Sequence, residues 1–191
     1  MTDVAEALEQ GTTLVYPTET CYGLGCDATN AEAVERIYAI KGRTKEKSLI
    51  LLADSLDMMA PYIDISPRLK EIEQKYWPGA LTVIVPIQGN RLAHGVVAGD
   101  GTIAFRVTSH PLAQKIVHAL GRPLVSTSAN VAGGPNSYSA DDVLSAFDAA
   151  ETQPDVVIDG GILPVRAPST VVRLRGDKIE VVRQGEIIVE N

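Results

Sequence analysis

The apolar positions of this chain switch repeatedly between helical spacing and short continuous runs. After Asn30 they fall at Ala33, Val34, Ile37 and Ile40, one face of a helix over about 31–41 that Asn30 can cap. Residues 3–10 show a helical pattern, with Asp3 able to cap and Gly11 as the stop. Further helices are expected near 54–60 and 66–76, over 111–120 with Gly121 beyond its end, and from a Ser139 cap to about Ala149. Between them lie β-branched or apolar runs at 12–16, 49–53, 81–87, 102–107, 124–126, 156–159, 170–174 and 179–183. The run Leu49–Ala53 has no polar alternation and so reads as a strand buried on both faces. Strands alternating with helices imply an α/β fold. We expect a single domain over residues 1–191, with a twisted mixed parallel/antiparallel sheet and helices packed on it.

Two stretches break the periodic pattern. Thr127–Tyr138 is a polar loop long enough to expect a function. Pro17–Ala28 follows a strand and spaces Gly23, Gly25 and Ala28 like a dinucleotide fingerprint. That fingerprint needs a helix to begin within the glycine turn, where its N-terminus meets a pyrophosphate. Here the cap is Asn30, several residues late. A strand-loop-strand lip fits better, with hydroxyls and a carboxylate toward a pocket and glycines allowing close backbone approach.

Charge sharpens this picture. The chain has 191 residues, with 17 basic and 24 acidic, for a net charge of -7. Lys41, Arg43, Lys45 and Lys47 lie within seven residues with Glu46 as the one acid among them, so this stretch is locally basic on an acidic chain. A local patch suits one bound anion; a uniformly basic surface would suit nucleic acid. The cluster reads either as a phosphate clamp or as charge decorating a helix end. No Walker A pattern occurs.

Arg106 in an apolar strand needs an anionic ligand or a buried acid, and Arg183 repeats the situation at the end of the last strand. Ser126-Thr127-Ser128-Ala129-Asn130 puts three hydroxyls and an amide after a short strand, as a ligand site or a self-capped turn. Cys21 and Cys26 lack zinc or disulfide spacing and read as small buried residues. No histidine stands with a serine and an orienting acid, which favours chemistry by positioning and charge neutralisation. No apolar run is long enough to span a membrane, and the acidic first ten residues look like neither a signal nor a transit peptide. A cytoplasmic location is the default expectation.

Taken in order, PTETCYGLG at 17–25, KGR at 41–43, WPGALTVIV at 77–85, AFRVTSHPLA at 104–113, PLVSTSAN at 123–130, PSTVV at 168–172 and RQG at 183–185 resemble the YrdC-like family, in particular its threonylcarbamoyl-AMP synthases. The chain ends shortly after RQG, which resembles the short, single-domain form. The resemblance implies a positively lined cleft and a nucleotidyltransferase. It would join L-threonine, bicarbonate and ATP, with Mg²⁺ assisting, into threonylcarbamoyl-AMP and pyrophosphate. Partner proteins would carry the group to adenosine 37 of tRNA.

The resemblance also implies residue roles. Lys41 and Arg43 would act on the phosphates in catalysis. Arg43, Lys47, Thr102, Ser128, Asn130, Asn136 and Arg183 would bind ATP. Thr20, Arg106, Ser126 and Ser169 would bind threonine, with Arg106 on its carboxylate; no metal ligand is assigned. Thr44 and Ser48 stand where many members have proline, and Leu52 where some have a histidine that contacts threonine. Gly133-Gly134-Pro135 lacks a common arginine. The alternative is an RNA-binding module that uses the same basic cleft.

Overall fold

The computed structural model describes residues 1–44 and 49–190. Lys45 and Lys47 of the basic cluster lie outside the described residues. The described residues form two sheets rather than the expected one. The larger has the order β10 (Lys178–Arg183), β9 (Thr170–Arg175), β4 (Leu81–Pro86), β5 (Thr102–Val107), β3 (Ile50–Ala53), β6 (Leu124–Val125). The smaller has the order β7 (Thr127–Ser128), β2 (Tyr22–Gly25), β1 (Leu14–Pro17), β8 (Val156–Val157). Both are mixed: β3 runs parallel to β5 and β1 parallel to β8, while β4–β5 and β1–β2 are antiparallel.

The sheets meet where the hydroxyl-rich segment begins. The run at 124–126 does not continue as one strand. β6 ends at Val125, β7 starts at Thr127, and Ser126 crosses between the sheets, its N–H donating to the Ile50 carbonyl at 2.8 Å. On the other side, Val125 N–H donates to the Cys26 carbonyl at 2.9 Å, tying the end of the lip to β6. A two-residue strand of polar composition, as β7 is, gives no periodic signal, so this seam is invisible in the pattern.

Gly25 makes the seam possible. A Cβ there would overlap the Val125 carbonyl oxygen and press on the Tyr16 ring. Gly25→Ala is expected to lower stability by about 3 kcal/mol, because backbone on one side and a buried ring on the other leave no room to relax. Urea denaturation would measure this, and an unchanged midpoint would disprove the tight approach.

Among the described residues six helices cover the sheets, and local rules set their ends. Helix α1 (Thr2–Glu9) starts one residue before its expected cap: Met1 is the N-cap and makes no side-chain cap bond, so Asp3 sits inside the first turn instead. α2 (Ala31–Lys41) is capped by Asn30, which accepts from Ala33 N–H at 3.1 Å. It ends at Gly42 in the left-handed region, φ 56°, whose N–H donates to Ala39 while that of Arg43 donates to Tyr38. This turn leaves Lys41 on the helix and throws Arg43 off it. α3 (Leu56–Met59) is shorter than expected, with Ser55 capping it. α4 (Pro67–Tyr76) begins with Ser66 as cap and proline in its first turn. α5 (Pro111–Leu120) matches its expected span, and α6 (Ala140–Phe147) opens on a Ser139–Asp142 capping box.

The core has two parts. The larger surrounds the six-stranded sheet and includes Trp77, Phe105, Ile37, Leu51 and Val83. The smaller packs α1 and α5 on β1 and β3 through Leu8, Leu14, Leu52, Ile116 and Val117. Each such side chain stabilises the fold by about 2 kcal/mol through removal from water. Leu52 is fully buried there, which explains why a polar ligand contact has no place at that position. Among the described residues, no helix is long and apolar enough to cross a membrane.

Candidate functional site

The lip, the KGR turn, the sheet seam and the segment before β9 converge on one cavity of about 390 Å³. Thr20 and Cys21 line it from the lip, Arg43 from the end of α2, Ser126 and Ser128 from the seam. Arg183 closes it from the end of β10. Three arginines, counting Arg166, border it, and among the described residues no carboxylate lines it. An adjoining hollow of about 540 Å³ shares Arg43, Ser128 and Asn136 and adds Lys41, Gly42, Asn130 and Gly134. The expected polar strand-loop-strand lip is therefore present, with Thr18 Oγ1 closing it on the Cys21 carbonyl at 2.7 Å.

Arg106 lies buried beneath Thr20, its Nη2 3.5 Å from Thr20 Oγ1. Its expected anionic partner is a buried acid: Glu19 Oε1 approaches Nε to 2.9 Å, as an ion pair without hydrogen-bond alignment. The other Glu19 oxygen accepts from Thr108 Oγ1 at 2.6 Å. Arg183 finds a different solution. Its Nη2 donates to the Ser169 carbonyl at 2.8 Å and reaches Ser169 Oγ at 3.1 Å. Ser169 Oγ also pairs with Thr82 Oγ1 at 2.9 Å, within the sheet. Burial, and then the nearby Arg106, lower the Arg183 pKa from its ordinary value. A cavity that already strains a cation in this way favours an incoming anion.

Lys41 departs from its expected role as a phosphate contact. Its side chain is buried and its ammonium donates to the Ser128 carbonyl at 2.6 Å, the Asn130 carbonyl at 2.8 Å and Asn130 Oδ1 at 2.9 Å. An ammonium has three protons, and all three are committed. Lys41 therefore clamps the loop rather than holding a donor in reserve. Burial, and then Arg43, push its pKa down to about 8.

Asn130 is as fully committed. Its carbonyl accepts from Lys41 and from Ser128 Oγ (2.7 Å), while its amide donates to Gly134 (2.7 Å) and Pro135 (2.9 Å). It shapes the loop from inside, and the loop in turn presents Asn136, which is exposed, to both hollows. The reading of this segment as a self-capped turn thus holds for Asn130, while Ser126 and Ser128 face the cavity.

Thr102 is not brought to this cavity. It starts β5, whereas Arg106 lies near that strand's other end. Its hydroxyl donates to Asp100 at 2.6 Å, and it lines a separate open hollow of about 620 Å³ with Arg173 and Arg175. Side chains two or four apart share a strand face but not a position along it, and the motif spacing alone did not separate these. Lys47 lies outside the described residues. Sequence reasoning missed Thr108 and Arg166, and it expected a lip carboxylate toward the pocket, whereas Glu19 pairs with Arg106 and Thr108 and does not line the cavity. Glu19 had a signal, an acid between two threonines in the lip; Arg166, paired with Glu186 at 3.3 Å, had none beyond its charge.

With this geometry in place, comparisons with known proteins are informative. Two curated threonylcarbamoyl-AMP synthases are similar to the chain. That of Vibrio campbellii is 43% identical over 143 residues, covering 73% of this chain and 77% of the relative. That of Chromohalobacter salexigens is 40% identical over 173 residues, covering 88% and 89%. Among solved structures, P. abyssi Sua5 complexed with L-threonine superposes with a TM-score of 0.87 at 31% identity. It matches 96% of this chain, which spans about half of that longer protein, 53%. The family model Sua5/YciO/YrdC, described as telomere recombination, matches residues 6–185. A match of that extent, on a fold that gathers the lip, the KGR turn and the seam in one place, means that the chain belongs to the Sua5/YciO/YrdC family.

Proposed function

We propose that this protein is an L-threonylcarbamoyladenylate synthase that uses L-threonine, bicarbonate and ATP. The observation that carries the reading is the cavity bordered by Arg43, Arg166 and Arg183, with Thr20 at one end and the buried Arg106 3.5 Å behind its hydroxyl. Its support from relatives is that similar proteins bear this activity as their name and that one was solved with L-threonine.

The chemistry asks for positioning more than for a nucleophilic side chain. Threonine's amine and bicarbonate form a carbamate and release water. A carbamate oxygen then attacks the α-phosphorus of ATP, and the bond to the bridging oxygen breaks to release pyrophosphate. Every reactant brings negative charge to one place, so fixed cations that offset the repulsion lower the barrier. Arg106, Thr20, Ser126 and Ser169 are assigned to threonine, and Arg43, Ser128, Asn136, Arg183 and Lys47 to the nucleotide. Lys41 and Asn130 serve by holding the loop. ATP enters as its Mg²⁺ salt. Among the described residues no cluster of three or more His, Cys, Asp or Glu is poised for a metal, so the ion is taken to ride on the phosphates. Transfer to tRNA adenosine 37 falls to partner proteins, and a cytoplasmic setting follows from that task.

The RNA-module alternative is weaker. Outside the cavity Arg36, Arg122, Arg173 and Arg175 are each paired with carboxylates. Arginines already neutralised in this way add little to phosphate-driven affinity. The test is a pyrophosphate-release assay with ATP, L-threonine, bicarbonate and Mg²⁺. Release should require all three substrates; release without threonine, or none at all, would rule the synthase out.

A further inference from the structure

The segment between β8 and β9 runs along the cavity without forming a helix or strand. One end is fixed by Tyr22, whose hydroxyl accepts from Gly160 N–H at 2.9 Å and donates to the Gly161 carbonyl at 2.8 Å. Leu163 N–H adds a bond to the Tyr138 carbonyl at 2.7 Å. The other end is fixed at Ser169, whose carbonyl accepts from Arg183 at 2.8 Å. Residues 164–168 between these anchors are exposed, and they bring Arg166 and Pro168 to the cavity.

Arg166 makes two contacts of different kinds. It lines the cavity beside Pro168 and Arg183, and its Nη1 donates to Glu186 Oε1 at 3.3 Å. Glu186 follows β10 and does not line the cavity. The two side chains are 51% and 40% exposed, so water and salt screen their attraction. The pair is not what joins the two segments. Glu186 N–H donates to the Pro168 carbonyl at 3.2 Å. Thr170 Oγ1 donates to the Ile187 carbonyl at 2.6 Å and accepts from Gly185 N–H at 3.0 Å.

A weak, exposed pair at the rim of an anion-binding cavity is open to exchange. A triphosphate brings several negative charges, and its oxygens match the planar fork of a guanidinium. One screened carboxylate competes poorly with it. The competition still has a cost, because a carboxylate beside an arginine weakens its hold on any other anion. Arg166 can turn between the two partners without breaking a strand, since residues 164–168 belong to none.

We infer that Arg166 is a phosphate-binding residue of the nucleotide site and that Glu186 competes for it: the guanidinium passes between Glu186 at the rim and the triphosphate in the cavity. The inference rests on the synthase reading and extends it. It gives the segment before β9 a part in holding ATP, and it sets one carboxylate of the chain against that binding.

The experiment is a double-mutant cycle in ATP affinity, measured by calorimetric titration of the full chain with ATP and Mg²⁺. Both side chains are exposed, so the variants should fold as wild type does. Arg166→Gln should weaken ATP about tenfold, through loss of a charge-assisted contact. Glu186→Gln should tighten it about threefold, the scale of an exposed ion pair. In the Arg166→Gln background the second change should do nothing, because the cation under competition is gone. A pair that only stapled the two segments would weaken ATP alike when either partner is lost, so a Glu186→Gln variant that binds ATP no more tightly than wild type overturns the inference. So does a tightening of the same size in both backgrounds, which would be the general effect of removing one negative charge. A wild type that binds no ATP overturns the synthase reading itself, and the inference with it.

Discussion

Arg106→Met is expected to reduce threonine affinity by at least a hundredfold and to destabilise the fold by about 3 kcal/mol. The two effects have different origins. Loss of affinity follows from removing the cation proposed for the substrate carboxylate. Loss of stability follows from what stays behind: Glu19, with its side chain about 10% exposed, keeps Thr108 as a donor but loses its only ion-pair partner among the described residues. A buried carboxylate left unpaired is far more costly than the pair was beneficial. The double variant Arg106→Met/Glu19→Gln separates them, because it removes both charges. Its urea midpoint should return most of the way to wild type while threonine binding stays absent. If the double variant is no more stable than the single one, the Glu19–Arg106 pair is not what the single variant broke.

Lys41→Met should have the second-largest effect. Methionine fills the volume of the lysine stem but removes three charge-assisted hydrogen bonds, to the carbonyls of Ser128 and Asn130 and to Asn130 Oδ1. Each such bond lost costs about 1 kcal/mol, so a loss near 3 kcal/mol is expected. Activity should fall roughly a hundredfold, since misplacement of substrate-facing groups by a fraction of their contact distance has effects of that size. A simple phosphate ligand behaves differently: its removal lowers activity and leaves stability unchanged or improved. An unchanged urea midpoint for Lys41→Met would therefore defeat the clamp.

The same lysine makes a prediction about pH. Its folded pKa is lowered to about 8 from 10.5, by burial first and Arg43 second. Between those two values the unfolded chain still holds the proton that the folded chain has released. The unfolded state binds more protons there, so this group's contribution to stability rises with pH across that window. Below pH 8 both states are protonated and the contribution is flat. The stability of wild type minus that of Lys41→Met should climb from pH 8 to 10.5, and NMR titration of the Lys41 ammonium should give a midpoint near 8. A midpoint near 10.5 would show that the three acceptors fully compensate burial.

Much of the architecture was legible because local rules and burial agreed. Asn30 and Ser139 cap the helices they were expected to cap, and Gly42 and Gly121 end theirs in the left-handed region. Arg106 was legible as a problem, a cation in an apolar strand, although its partner was not. Glu19 is 87 residues away, and nothing in the order of residues links the lip to β5. Lys41 was legible only in kind. Its charge drew attention to it, but whether an ammonium at a helix end meets phosphate, solvent or carbonyls depends on what folds over it. Here the loop 128–130 does.

By itself, then, the chain determined which segments are helices and strands, where a local excess of positive charge lies, and which hydroxyl-rich stretches accompany it. These are properties of neighbours in sequence, set by side-chain periodicity, capping and backbone freedom. Only the tertiary structure decided what each polar group faces. It turned Lys41 inward, sent Thr102 to the other end of β5, split the strand at Ser126 into a seam between two sheets, and paired Glu19 with Arg106. The reason is that hydrogen bonds and ion pairs act over a few ångströms in space, and distance along the chain says nothing about them until the sheets have closed.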